Sequence, residues 1–149
     1  MRLIGAFVYL VLAVLAFRRM RWAYVAFVLL GLLYFPARVG FHFSPRACET
    51  ALDVPLALWS LTNSGHIILF AIFFVMTRVQ LRGVGWSTMA WTGMITLMMG
   101  VLVELAEGVT GNGHCRLRDL VPDSAGAMLG AAIVTVWQQV RSKRASHSS

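Results

Sequence analysis

The stretch 111–130, GNGHCRLRDLVPDSAGAMLG, carries His114, Arg116, Arg118, Asp119 and Asp123 within ten positions. Two further carboxylates, Glu104 and Glu107, lie just upstream, three apart and therefore on one helical face. Acids, arginines and histidines at this density can hold phosphate or carboxylate groups through charge-assisted hydrogen bonds, or pass protons between reacting groups. His66 at the start of an earlier apolar run, and His42 and Arg46 just ahead of Cys48, are further residues of the same chemistry. No nucleophile motif accompanies them. Ser44, Ser60, Ser64 and Ser124 lie in no recognised elbow, so no catalytic residue is assigned. His42, His66, His114, Glu104 and Glu107 offer metal-binding atoms without H-E-x-x-H or another diagnostic spacing, so neither a metal nor a cofactor is expected.

These groups must be positioned by elements of a very different composition. The 149-residue chain is 58% hydrophobic and 13% charged, with a mean hydropathy of +0.73, far outside the range of soluble globular domains. Long apolar stretches cover 3–17, 22–41, 63–79, 86–107 and 124–140, which reads as an all-α polytopic membrane bundle of about five transmembrane helices. The first run is short, about 22 Å as a helix, and relies on local bilayer thinning or on snorkelling of Arg18 and Arg19. Its basic cluster RRMR follows the apolar run, opposite to a signal peptide, so it is read as retained. Pro36 is expected to kink the second run, and LDVPLALWSL, in the longest connection, to lie in or re-enter the interface. The division is a transmembrane domain over 1–140 and a basic cytoplasmic tail over 141–149, expected to be disordered.

Alternate threading of the five runs separates the charges. One side receives Arg18, Arg19, Arg21, Arg78, Arg82, Arg141, Lys143 and Arg144 and no acid; the other receives all six acids. The basic side is cytoplasmic by the positive-inside rule, so the N-terminus lies outside and the C-terminus inside. The net charge of +7 is thereby explained by topology and anionic lipid, and no nucleic-acid partner is expected. A transporter is disfavoured, because the chain has no internal repeat and no acid in the middle of a run. Cys48 and Cys115 fall in two different outer loops and are expected to pair there. Such a bridge closes a loop of about 66 residues and contributes on the order of 4 kcal/mol in the chain-entropy model. It also sets His42, Arg46 and Glu49 beside His114, Arg116 and Asp119.

The pattern Glu104-x-x-Glu107, an arginine, then Asp119-x-x-x-Asp123-x-x-Gly126-x-x-x-Gly130 resembles the signature of the VanZ-like family of bacterial membrane proteins. In that family a helix ending Glu-x-x-Gln leads through an Arg-containing loop to Asp-x-x-x-Asn-x-x-Gly-x-x-x-Gly. A second match is the family histidine at the start of an earlier span, which NSGHIILFAIFF places at His66. The strong part covers about thirty residues. Glu107 stands where the family usually has Gln and Asp123 where it usually has Asn; the lysine that often precedes the histidine is absent, and Arg116 or Arg118 is the family arginine. The resemblance implies a multi-pass protein of the bacterial cytoplasmic membrane with a cell-envelope role, in a family named for a protein associated with teicoplanin resistance.

Two functional readings follow. The favoured one is a non-catalytic protein whose outer pocket, drawn from Glu104, Glu107, His114, Arg116, Arg118, Asp119, Asp123, His66, His42 and Arg46, binds or shields an envelope component. Its partners are membrane lipid and a cell-wall precursor or another envelope component, in an oligomeric state left open. The alternative is a membrane-embedded enzyme acting on a lipid-linked precursor. Within the pocket Glu104 and Asp119 are expected to clamp the guanidinium of Arg116 or Arg118, leaving the other arginine free for the ligand. Asp123 or Ser124 is expected to cap the last helix after Pro122, and Gly126 and Gly130 to let a neighbouring helix approach. The threading predicts that a reporter fused to the C-terminus is active only when the reporter works in the cytoplasm; activity of a periplasm-dependent reporter at that position would reject the orientation.

Overall fold

In an apolar environment a chain must satisfy its backbone hydrogen bonds within itself, and the helix does so segment by segment. A computed structural model describes residues 2–34, 43, 45–83, 85–111 and 115–146. Among them every regular element is helical: α1 (Arg2–Phe17), α2 (Arg21–Tyr34), α3 (Val54–Ser60), α4 (Ser64–Gln80), α5 (Trp86–Thr110), a 3-10 turn over Leu117–Asp119, and α6 (Leu120–Ser146). Helices α5 and α6 are each long and apolar enough to cross a membrane, and α3 with α4, bent by 71°, makes a third such unit if taken together. The apolar parts of α1 and α2 are shorter. The expected kink at Pro36 lies outside the described residues.

Helices α1 and α2 form a hairpin closed without glycine. Met20 N–H donates to Leu15 O and Arg19 N–H to Ala16 O, the paired bonds of a Schellman helix end. Arg19 takes the left-handed position, at φ 65°, that glycine usually fills. Helix α3 begins at Asp53, whose Oδ1 accepts from Leu56 N–H at 2.8 Å, and so gives helical form to the segment read as interfacial.

Helix α6 runs parallel to α4 and makes the most extensive contact in the bundle. The reason is the small-residue pair Gly126 and Gly130. A Cβ on Gly126 would lie 2.5 Å from Ile67 O and 2.8 Å from Phe70 Cβ, and one on Gly130 2.6 Å from Phe74 Cβ. Two backbones thus meet where no other residue fits. Helix α5 returns antiparallel. The core of Leu12, Ala16, Ala23, Phe27, Phe70, Phe73, Met76 and Met99 joins α1, α2, α4 and α5. Tyr24 Oη and Thr77 Oγ1, 3.0 Å apart, tie α2 to α4, and Gln80 Nε2 donates to Ala16 O across the ends of α4 and α1. The buried Thr92 and Thr96 hydroxyls donate to carbonyls four residues back, which hides their polarity inside α5.

The sequence boundaries of the last run need correction at both ends. Helix α6 starts at Leu120, because the 3-10 turn feeds directly into it and Pro122 falls in the first helical turn, where its missing N–H costs nothing. Asp123 and Ser124 are therefore inside the helix and neither caps it; Ser124 Oγ donates to Leu120 O. At the other end the helix continues through Ser146, so residues 141–146 are helical where disorder is expected. Gln138, Gln139, Arg141, Lys143 and Arg144 are good helix formers, and Lys143 and Arg144 complement the helix dipole in the last turn.

Gly126→Ala is expected to lower the unfolding free energy by about 1–3 kcal/mol, since its new methyl group meets backbone. Gly93→Ala, whose Cβ would sit 4.0 Å from the nearest side-chain atom, should be neutral or stabilising by up to about 1 kcal/mol. Thermal unfolding of both variants in the same detergent checks the opposite signs.

Candidate functional site at the disulfide end of the bundle

All six carboxylates sit at one end of the bundle, where α5 finishes, α4 and α6 begin, and the segment 45–53 crosses over them. One face of α5 organises this end through Gly100, Glu104 and Gly108, spaced four apart. A Cβ on Gly100 would come within 2.7 Å of Asp123 Oδ2; Glu104 Oε2 accepts from Arg116 N–H at 2.6 Å; and Gly108 lies under the sulfurs of Cys48 and Cys115. The two cysteines are paired, with Cα atoms 4.7 Å apart. Their connection is reinforced by Arg46 N–H donating to Gly108 O, one of the α5 carbonyls left without a helical partner. Glu49 N–H donates to Cys115 O and Leu117 N–H to Glu49 O, a short parallel bridge.

That bridge delivers the Glu49 carboxylate between two guanidinium groups. Arg118 Nη1 donates to Glu49 Oε1 at 3.0 Å, and Arg116 Nε lies 3.3 Å from Oε2 but too poorly aligned to hydrogen-bond. Arg118, only 8% exposed, also has its guanidinium 5.9 Å from the centre of the Trp59 ring, an arrangement that suits an arginine withdrawn from water. The expected clamp is thus corrected. Glu104 is occupied by a backbone amide, Asp119 makes no ion pair or side-chain hydrogen bond among the described residues, and Glu49 replaces both as the guanidinium partner. Nor is one arginine paired and the other free, because both reach the same carboxylate. The physical reason is the disulfide, which fixes the segment bearing Glu49 above residues 115–118.

Asp123 is 1% exposed, enclosed by α4, α5 and α6, and its Oδ1 lies 2.8 Å from His66 Nδ1. With the carboxylate ionised, Nδ1–H donates and Nε2 is left at the far edge of a ring that is partly open to the surface. The ring stacks on Phe70, centroids 6.3 Å apart. Beside this pair a separate polar cleft of about 230 Å³ is lined by Arg46, Ala47, Glu49, Glu107, Gly108, Cys115 and Arg116. Its cationic side consists of Arg46 and the terminal nitrogens of Arg116, which have no hydrogen-bond partner among the described residues.

Of the sequence candidates, Glu104, Arg116, Arg118 and the two cysteines come together with Glu49, while Arg46 and Glu107 line the cleft and His66 joins Asp123. Gly126 and Gly130 lie below them at the α4–α6 crossing. His42 and His114 lie outside the described residues. Trp59 and the Gly100–Gly108 pair were not singled out from sequence, although the four-residue spacing Gly-x-x-x-Glu-x-x-x-Gly within GVLVELAEG carries the signal for the latter. Among the described residues no three His, Cys, Asp or Glu side chains converge in a way that could hold a metal ion. No protein-family model, no curated protein and no solved structure matches this chain.

His66→Ala leaves Asp123 buried without its partner and is expected to cost about 3–5 kcal/mol of stability. Asp123→Asn keeps hydrogen-bonding capacity and removes the charge, and should cost nearer about 1 kcal/mol. Unfolding midpoints of the two variants measure the difference; a His66→Ala protein as stable as the parent would reject the dependence of Asp123 on His66.

Proposed function

We propose that this chain is a VanZ-like, multi-pass protein of the bacterial cytoplasmic membrane, with its disulfide end outside, and that the cleft there binds or shields a phosphate-bearing component of the cell envelope. The orientation is supported by the separation of eight basic residues from six acids and by a cysteine pair, which belongs on an oxidising face. The reading rests on one observation above all. Arg46 and the unengaged nitrogens of Arg116 meet in a single cleft whose wall is held by a disulfide and one of whose two carboxylates, Glu49, is already paired with arginine. The two guanidinium groups that line the cleft, Arg46 and Arg116, supply the charge-assisted donors that a phosphate needs. At about 230 Å³ the cleft accepts a headgroup-sized moiety and is far too small to enclose a glycopeptide antibiotic.

A second reading, an enzyme acting on a lipid-linked envelope precursor, is favoured by the His66–Asp123 pair. A buried carboxylate that orients an imidazole through Nδ1 leaves Nε2 able to accept and return a proton. Turnover of a lipid-linked phosphoester that is lost in His66→Gln would select this reading.

The binding reading predicts that Arg116→Ala lowers retention of phosphate-bearing lipid by at least about tenfold, equal to about 1.4 kcal/mol, in native mass spectrometry of the detergent-extracted protein. Arg78→Ala, at the opposite end of the bundle, should leave retention intact. Equal retention by the parent and Arg116→Ala would reject the cleft as the binding site.

A further inference from the structure

Resting on that reading, we infer that the occupant of the cleft is the zwitterionic headgroup of an aminophospholipid, with its phosphodiester on Arg46 and Arg116 and its ammonium on Glu107. The cleft presents both signs of charge side by side, which a simple anion site does not need. A phosphate alone would be served by the two arginines, and a carboxylate in the same wall would repel it. A ligand carrying a cation two carbons beyond its phosphate turns that repulsion into attraction. At Glu49 an ammonium would meet the like charges of Arg118 and Arg116, so it is assigned to Glu107, the other carboxylate that lines the cleft. A carboxylate has about four acceptor positions and can serve a ligand in addition to a protein partner.

Size and depth point the same way. A volume of about 230 Å³ holds roughly eight water molecules at about 30 Å³ each. A phosphoethanolamine group fits within such a space, and a disaccharide exceeds it. The cleft also opens at the end of a helix made for hydrocarbon. Val101 and Leu105, seven and three residues before Gly108, fall on the same side of α5 as Gly108 by helical periodicity, and both are exposed. They are apolar surface, open to acyl chains, on the helix whose last turns form the cleft wall.

The test uses the whole protein, stripped of lipid in detergent and offered equal amounts of phosphatidylethanolamine, phosphatidylglycerol and phosphatidylcholine with identical acyl chains, read by native mass spectrometry. The expected result is retention of phosphatidylethanolamine about tenfold above each of the others, because glycerol brings no cation and a trimethylated nitrogen cannot donate hydrogen bonds to Glu107. Glu107→Gln should lower phosphatidylethanolamine to the phosphatidylglycerol level. Glycerophosphoethanolamine, which has the headgroup without chains, should fail to displace the lipid at equal concentration; if it displaces it, the ligand is a free phosphoester and the lipid assignment falls. Retention of phosphatidylglycerol equal to or above phosphatidylethanolamine, still dependent on Arg116, overturns the zwitterion and leaves the phosphate-binding reading standing. Retention of no phospholipid in an Arg116-dependent manner overturns both. The comparison of three lipids on the unmodified protein decides the matter even if Glu107→Gln does not fold.

Discussion

Ionisable side chains at the rim of an apolar bundle have to find partners within the protein, because hydrocarbon does not solvate them and a buried charge left alone costs several kcal/mol. The disulfide end is built around that constraint. Asp123 receives an imidazole, Glu104 a backbone amide, and Glu49 two guanidinium groups. Each partner comes from a different part of the chain. The polar contacts therefore join α4 to α6, α5 to the 115–119 turn, and the 45–53 segment to that turn, and the end of the bundle has one arrangement in which these needs are met together.

Such contacts work only if the backbones come close enough. The α4–α6 crossing supplies one close approach through Gly126 and Gly130, and α5 supplies the other through Gly100 and Gly108. The two glycine pairs serve different ends. At the first, backbone meets side chain and backbone over an apolar surface, so the gain is dispersion and packing. At the second, the absent side chains make room for a carboxylate and a disulfide, so the gain is polar. Glu104 lies between Gly100 and Gly108, and its reach to Arg116 N–H depends on the chain being drawn down on both sides of it.

The cleft is a by-product of this economy. The disulfide and the Glu49 bridge hold the 45–49 segment across the end of α5, and the space between them is lined by Arg46, Glu49, Glu107 and Arg116. The acid–base pair and the cleft are distinct in place and in make-up: one is an imidazole on an enclosed carboxylate, the other an open wall of mixed charge. A binding function and a proton-transfer function would thus draw on separate residues of the same end.

Much of this was legible in the order of residues. Hydropathy and length determine a helical bundle with helices fit to cross a membrane, because only hydrogen bonds within a segment satisfy a backbone in an apolar medium. The spacing Gly126-x-x-x-Gly130 marks a close helix approach, and two cysteines flanked by charges mark a place where distant segments meet. Partner choice was not legible. Glu104, Glu107, Asp119, Asp123 and Glu49 are equivalent acids to anyone reading the chain, and proximity along it favours Glu104 and Asp119 as partners of the arginines. Only the tertiary structure assigns Glu49 to Arg116 and Arg118, and Asp123 to His66, because a hydrogen bond is decided within about 3 Å of space and those pairs are separated by 57 to 69 positions of chain.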